Sequence, residues 1–496
     1  MADHLDLRRG TYADSVSLMQ VSRRVGDVAG VSKALVAMAT ELNLDLLAGM
    51  GFDTVDAGPN DLIVAIRAED DDAIAAALAE LDAALAASSG GGGASFGDGP
   101  PPRTVRDGAA AAAGAGQPAD LALISTPGDH AYVEALDALR AGLNVMLFSD
   151  NVPLDAEIAL KDEAASRGLL VMGPDAGTAI VSGVGLGFAN VAQPGPVGIV
   201  AASGTGAQQL TCLLDDAGIG VSHVLGVGGR DLKDEVAGRA TLQALAALDA
   251  DPATDLIVVL SKPPSESVAA RIRDAADACS TPVVLALLGP GQDDLTATAA
   301  SVAAALGRSF DAPVWWPAPF ERTGSYTELR GLFAGGTLCQ EATLLVAEAF
   351  EQTASNVAVP GVEALTDGLD TAGHVLVDLG EDEYTRGRPH PMIDQSLRLE
   401  RITAETARPG GKVLLLDVVL GHGAHPDPAA ELAPAIERAI LESADDLAVV
   451  VSLCGSAGDP QGRDRQADAL VRAGASVHLS NAHATRKAIE LIGGPS

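Results

Sequence analysis

The chain has 496 residues, 47% of them hydrophobic, with a formal net charge of −35 at pH 7, and a length of this order predicts roughly three or four cores. Acidic charge spread along the whole chain excludes a nucleic-acid surface, and no apolar run long enough for a membrane span or a signal peptide occurs, so a cytoplasmic place is expected. Lysine stands only at Lys33, Lys161, Lys233, Lys262, Lys412 and Lys487, a balance that a salt-loaded, halophilic cytoplasm favours, and the scattered Cys212, Cys279, Cys339 and Cys454 predict neither disulfides nor zinc.

Residues 1–87 read as a small N-terminal α/β domain. It has a polar start, an amphipathic helix over Ser15 to Arg24, a second helix near Val31 to Leu42 and the strand DLIVAIRA. An Ala-rich helix with an acidic first turn follows. Residues 88–119 read as a flexible linker, because SSGGGGASFGDGPPPR buries nothing and an Ala/Gly tract extends it. From Leu121 short apolar runs alternate with helical stretches. LALIST, NVMLFS and LLVMG make a parallel sheet over 120–192, and VGIVAASG, GVSHVLGVGG, LIVVLSKPP and VVLALLG make a second over 193–310. Residues 311–373 read as a connecting segment with a Gly-rich turn and a helix. HVLVDLG, KVLLLDVVLG, LAVVVSLCG and SVHLS then form a third sheet over 374–496. The fold class is therefore α/β, with several doubly wound parallel-sheet domains behind a small N-terminal one.

Ligands of such sheets sit beyond the carboxyl ends of the strands. In AASGTGAQQL, Ser203, Gly204, Thr205 and Gly206 bring free backbone N–H groups, hydroxyls and a helix dipole to one place, which suits phosphate or carboxylate, with ordinary helix capping as the plainer reading. In GVGGRDL, Gly228 and Gly229 let a backbone come close while Arg230 presents a fork to an oxyanion or forms a surface ion pair. Lys262 follows the strand LIVVLS, and Pro263 and Pro264 stiffen its loop. Gly335, Gly336 and Thr337 open a helix in a similar turn, which makes them a candidate second anion site. The run DLGEDEYTRGRPHPMID sets Arg386, Arg388 and His390 behind a buried strand, where cations in an acidic chain serve an anionic substrate or dock a domain. His422 and His425 lie among carboxylates, but without a third ligand they make no metal site. There is no GxxxxGK[ST] loop and no GxSxG elbow.

GTYADSVSLMQVSRRV, AGPNDLIVAIRAE, NVMLFSDNVPLDAEIALK, GLLVMGPDAGTA, SGTGAQQL, GVGGRDL, SKPPSE, AGGTLCQEA, DLGEDEYTRGRPHPMID and LLLDVVLGHGAHPDP together resemble the FdrA family, in order and over nearly the whole chain. More distantly the chain is similar to succinyl-CoA synthetase and ATP-citrate lyase. That resemblance implies a truncated CoA-binding-like Rossmann domain over 120–192, a flavodoxin-like domain of the α-subunit type over 193–310 and one of the β-subunit type over 374–496. Departures limit what carries over. GPGQDDLTATAAS has no histidine where the synthetase is phosphorylated, and no ATP-grasp domain fits between residues 310 and 374. The resemblance thus implies a subunit that by itself requires neither ATP nor CoA and handles phosphate or an acyl phosphate together with a small carboxylate. Its reaction would be carbamoyl transfer between carbamoyl phosphate and oxamate. Arg230, Lys262, Arg388 and His390 would be catalytic; Ser203 to Gly206, Gly228, Gly229, Gly335 to Thr337 and Arg386 would bind substrate. Alternatives are an acyl-CoA ligase-like subunit with a separate ATP-grasp partner, and a non-catalytic regulator. Other enzyme subunits or further copies of the chain are the expected partners.

Overall fold

The computed structural model describes residues 2–9, 11, 15–53, 55, 57–58, 61–89, 102–320, 324–365, 371–386, 388–443 and 446–494. They divide into two compact units, one of residues 1–119 with 382–389 and one of residues 120–381 with 390–496.

In the first unit, β1 (Ala2–Arg8), α1 (Ser15–Gly26), β2 (Val31–Met38), α2 (Glu41–Gly49), β3 (Leu62–Ala68) and α3 (Asp71–Ser89) form an antiparallel sheet in the order β1-β3-β2 with its helices. Leu18, Val21 and Val25 of α1 and Ile74, Ala77 and Leu81 of α3 pack on Val64 and Ile66. Two sequence readings are corrected here. The polar start is a strand, and Val31 to Met38 is a strand rather than a helix, paired with β3 from Val31 opposite Ala68 to Met38 opposite Leu62. Its Val31 and Leu35 mimic helical spacing, and sheet pairing overrides that local signal. The segment 88–119 holds a third correction: Val105–Gly114 is a helix, α4, capped by Thr104, whose Oγ1 accepts from Asp107 N at 3.1 Å. Alanine propensity outweighs its glycine content. Residues 90–101 lie outside the described residues.

The second unit begins with β4 (Leu121–Ile124), α5 (Gly128–Arg140), β5 (Asn144–Leu147), α6 (Leu154–Arg167) and β6 (Val171–Met172), a parallel three-stranded sheet. Then follow β7 (Thr178–Val181), β8 (Val184–Gly187), β9 (Pro194–Ala201), α7 (Gly204–Asp216), β10 (Val221–Gly226), α8 (Arg239–Asp249), β11 (Leu256–Ser261), α9 (Glu266–Ala278), β12 (Val283–Leu287) and α10 (Leu295–Ala305). Their sheet runs β12-β11-β9-β10-β7-β8, so the hairpin β7-β8, read with the sheet before it, extends the second sheet instead.

The third sheet draws on β13 (Trp315–Trp316), β14 (Glu328–Phe333), α11 (Gly336–Ala349), β15 (Thr353–Ser355), β16 (Glu363–Ala364) and β17 (His374–Asp378). After α12 (Asp382–Thr385), which belongs to the first unit, it continues with α13 (Ser396–Ala407), β18 (Lys412–Val419), α14 (Pro428–Glu442), β19 (Leu447–Cys454), α15 (Arg463–Arg472), β20 (Ser476–His478) and α16 (Asn481–Ile492). Its order is β13-β20-β19-β18-β14-β17-β15-β16. The stretch read as a connecting segment therefore supplies a central strand, β14, between β18 and β17.

One apolar core joins the second and third sheets through the helices between them, with Leu210 and Leu213 of α7, Val302 of α10, Leu338 and Ala342 of α11 and Ala484 of α16 all buried. Polar bonds staple the same junction. Asp459 Oδ1 accepts from Val191 N at 2.8 Å and Oδ2 from Asn190 Nδ2 at 2.7 Å, while Gln209 Nε2 donates to Leu479 O at 3.0 Å. These bonds tie the chain entering β9, and α7 itself, to the loops of the third sheet.

Candidate active site

The turn after β9 is set by local chemistry. Ser203 is the N-cap of α7 in extended conformation, and its Oγ accepts from Gly206 N at 3.1 Å. The helix is glycine-rich here because the space is taken: a Cβ on Gly206 would overlap Ser203 Oγ and stand 3.0 Å from Thr337 Cγ2. Across the junction, Gly335 caps α11 without a side-chain bond, and a Cβ on it would lie 2.9 to 3.0 Å from Thr205. Ser203 Oγ and Thr337 Oγ1 are 2.6 Å apart. Two helix N-termini thus meet edge to edge, and their unpaired N–H groups and dipoles add on one small volume.

A buried carboxylate fixes the second of these turns. Asp417, on the wholly buried β18, accepts from Ala334 N and Gly335 N, each at 2.7 Å, and pairs with Arg398 Nη1 of α13 at 2.9 Å. Burial pushes the Asp417 carboxyl up from its ordinary range, and Arg398 opposes that shift. Neither Asp417 nor Arg398 was singled out from sequence. The available signal was an aspartate inside the apolar strand KVLLLDVV, where an unpaired charge is too costly to stand.

Around the two N-termini stand Lys262, Asp378 and His390. The position of a Cβ on Gly336 lies 2.5 Å from Asp378 Oδ2 and 3.5 Å from Lys262 Nζ. That of a Cβ on Gly380 lies 2.5 Å from His390 Nε2 and 3.0 Å from Asp378 Oδ1. Asp378 Oδ1 accepts from Gly380 N at 2.8 Å, and burial pushes this carboxyl up to about 7. Burial, and then the Arg398 guanidinium, bring the His390 imidazole down to about 4. His390 Nδ1 accepts from Met392 N at 3.2 Å, which leaves the proton of the neutral ring on Nε2. Lys262 is partly buried and enters no salt bridge among the described residues.

The other anticipated site residues are placed differently. Arg230 donates from Nη2 to Val152 O at 2.7 Å and pairs with Glu157 Oε2 at 3.0 Å, beside the buried ion pairs of Lys161 with Glu157 and Asp231. Of its two readings, the ion pair is the one this geometry shows: its charge is matched by protein, and the loop ties α6 to the second sheet. Gly228, at φ 87°, packs on the Pro174 carbonyl, and a Cβ on Gly229 would meet nothing. Arg386 and Arg388 are exposed on the turn after α12, in the segment that belongs to the first unit. His425 is committed to structure, with Nδ1 accepting from Asp427 N at 2.9 Å and Nε2 lying 3.1 Å from Glu431. Among the described residues no group of His, Cys, Asp and Glu could hold a metal, and no helix is long and apolar enough to cross a membrane.

Parallel sheets sharing a helix layer, with two N-termini turned to one point, form a CoA-ligase-like fold, and residues 332–491 match the CoA-ligase family. The chain belongs to the FdrA family: it is 34% identical over 520 residues to the protein YahF of Escherichia coli strain K12, covering 99% of each chain. It is also 28% identical over 143 residues to the α subunit of the ADP-forming succinate–CoA ligase of Methanothermobacter thermautotrophicus, which covers 28% of this chain and 47% of that one. The chain therefore spans about half the length of that ligase subunit. ATP citrate lyase from Methanothrix soehngenii, solved in complex with citrate and coenzyme A, aligns at a TM-score of 0.33 and 19% identity over 38% of this chain and 31% of that one. Residues 1–98 match the AllF heavy metal-associated domain. Soft metals in such domains are held mainly by thiolate or imidazole, and residues 1–98 hold no cysteine and only His4, so they lack a thiolate or paired-imidazole site.

Proposed function

We propose that this chain handles an acyl phosphate and transfers a carbamoyl group between carbamoyl phosphate and oxamate. The observation that carries this reading is the meeting of Ser203 and Thr337 at 2.6 Å, which turns two helix N-termini into one anion seat with Lys262 and Asp378 at its rim. The phosphate of carbamoyl phosphate would lie on Ser203 to Gly206, and the oxamate carboxylate on Gly335 to Thr337. Held side by side, the two substrates react without the entropy cost of a free encounter. The Lys262 ammonium would offset charge gathering on the departing phosphate oxygen. Neutral His390 would donate from Nε2 to the carbonyl oxygen at which negative charge develops. None of this requires a phosphorylated histidine, which suits a chain whose GPGQDDLTATAAS segment has none.

A second reading is favoured by the match to ligase subunits: a ligase-like subunit that takes ATP-grasp and CoA-binding parts from partners. The two separate in one assay. The purified chain, alone and with its partner subunits, is given carbamoyl phosphate with oxamate or ATP with CoA and succinate. Phosphate release with the first pair only is expected; ATP-dependent formation of an acyl-CoA would replace the transferase reading with the ligase one.

A further inference from the structure

We infer that Asp378 is the proton carrier of the anion seat, accepting the proton of the attacking nitrogen and delivering it to the departing phosphate. The inference rests on the acyl-phosphate reading and adds a residue to it. In the transfer, the oxamate nitrogen forms a C–N bond to the carbamoyl carbon. The C–O bond to phosphate breaks, with its electron pair leaving on the phosphate oxygen. The nitrogen sheds one proton to Asp378 Oδ2, and the same proton passes to phosphate, so the carboxylate is restored each turnover.

Position makes Asp378 the carrier. It closes β17, is 4% exposed, and turns Oδ2 to the N-terminus of α11 while Oδ1 is held by Gly380 N–H. Oδ2 accepts no hydrogen bond from the described residues, so it is the one carboxyl oxygen left for a substrate proton. Asn356 fixes the backbone on both sides, accepting from Asp378 N and donating to Asp378 O, each at 2.8 Å. The charged and titratable groups around it are Lys262 after β11, Asp417 on β18, Glu381 in its own loop, Cys339 on α11 and His390 before α13. Burial and the Glu381 and Asp417 charges favour the protonated carboxyl, Lys262 and Gly380 N–H the ionised one, and the balance at about 7 suits a group that must do both.

The test uses the full chain and inorganic sulfate, a dianion that does not itself titrate near neutrality. Sulfate entering the seat should raise the affinity of Asp378 for its proton while leaving a fraction of it ionised as the acceptor, so calorimetry at pH 7 in buffers of different ionisation enthalpy should show uptake of a fraction of a proton, below about half. In Asp378→Asn, which keeps an acceptor for Gly380 N–H, that uptake should vanish while sulfate still binds. Turnover of carbamoyl phosphate with oxamate should fall at least about 100-fold, with little change in KM. Sulfate binding by the wild type without proton uptake, or with uptake equal in the variant, would overturn the role of Asp378 and leave the anion seat standing. Failure of the wild type to bind sulfate or phosphate would overturn both. The wild-type measurement needs no variant to fold.

Discussion

Ser203 Oγ lies 2.6 Å from Thr337 Oγ1, a hydrogen bond across 134 positions of sequence that joins the N-termini of α7 and α11. Each residue is buried, and each sits where its helix leaves its first N–H groups unpaired. The contact tolerates no bulk. In Gly206→Ala the new methyl would displace Ser203 Oγ from its cap and press on Thr337 Cγ2 at 3.0 Å. A loss of about 1–3 kcal/mol of stability is expected from overpacking and a broken cap. A urea midpoint equal to that of the wild type would show that the junction is looser than described.

Lys262 is half-buried and enters no salt bridge among the described residues. Lys262→Met should therefore leave the thermal midpoint nearly unchanged while phosphate affinity falls about 10- to 100-fold, the range of one hydrogen bond to a charged group. Isothermal calorimetry and a melting curve on the same preparation check both halves. A variant that melts early but binds phosphate normally would place Lys262 in the fold and outside the site.

The pair Arg398 and Asp417 has the opposite character. Both are buried, and Asp417 carries the N–H groups of Ala334 and Gly335 as well as the guanidinium. Arg398→Met strands a carboxylate in the core and should cost about 3–5 kcal/mol. Adding Asp417→Asn should return part of that loss, because the stranded charge is gone. Additive losses in a denaturation cycle would count against the coupling.

The sequence declared one half of the site and hid the other. Ser203, Gly206 and Thr337 are legible because capping and tight turns are local chemistry that a short window contains. The partnership of the two turns was not, since nothing near Ser203 shows that the turn after Phe333 will be brought to it. β14 was lost because its neighbours β17 and β18 come later in the chain. Val31 to Met38 was misread because a helix and a strand share the spacing of Val31 and Leu35, and only β3 decides between them. Arg230 looked available because Glu157, its partner at 3.0 Å, is brought to it by another part of the chain.

Titration of His478 offers a test independent of activity. Burial, then the charges of His483 and Lys487, hold its imidazole down to about 4. An unfolded histidine takes its proton near pH 6.5. The stability that neutral His478 gives is thus complete above about pH 6.5 and drains away as pH falls toward about 4, on the order of 2–3 kcal/mol. Glu341 acts in the other sense, its buried carboxyl pushed up to about 7, so comparison with a variant isolates the histidine. The stability difference between wild type and His478→Gln should narrow steadily from about pH 7 to pH 4. A difference that stays constant would mean that His478 is solvated.

The anion seat itself is tested most directly by calorimetric titration of inorganic phosphate into the wild-type chain and into Thr205→Val. Thr205 stands beside Gly335, and its hydroxyl makes no hydrogen bond among the described residues, so it is available to a ligand. Valine keeps the shape and removes the donor. Binding by the wild type, with affinity about 5- to 30-fold weaker in the variant, is the expected result and corresponds to about 1–2 kcal/mol for one hydrogen bond to a charged group. Equal affinity in the two proteins, or no binding in either, would contradict the seat formed by α7 and α11.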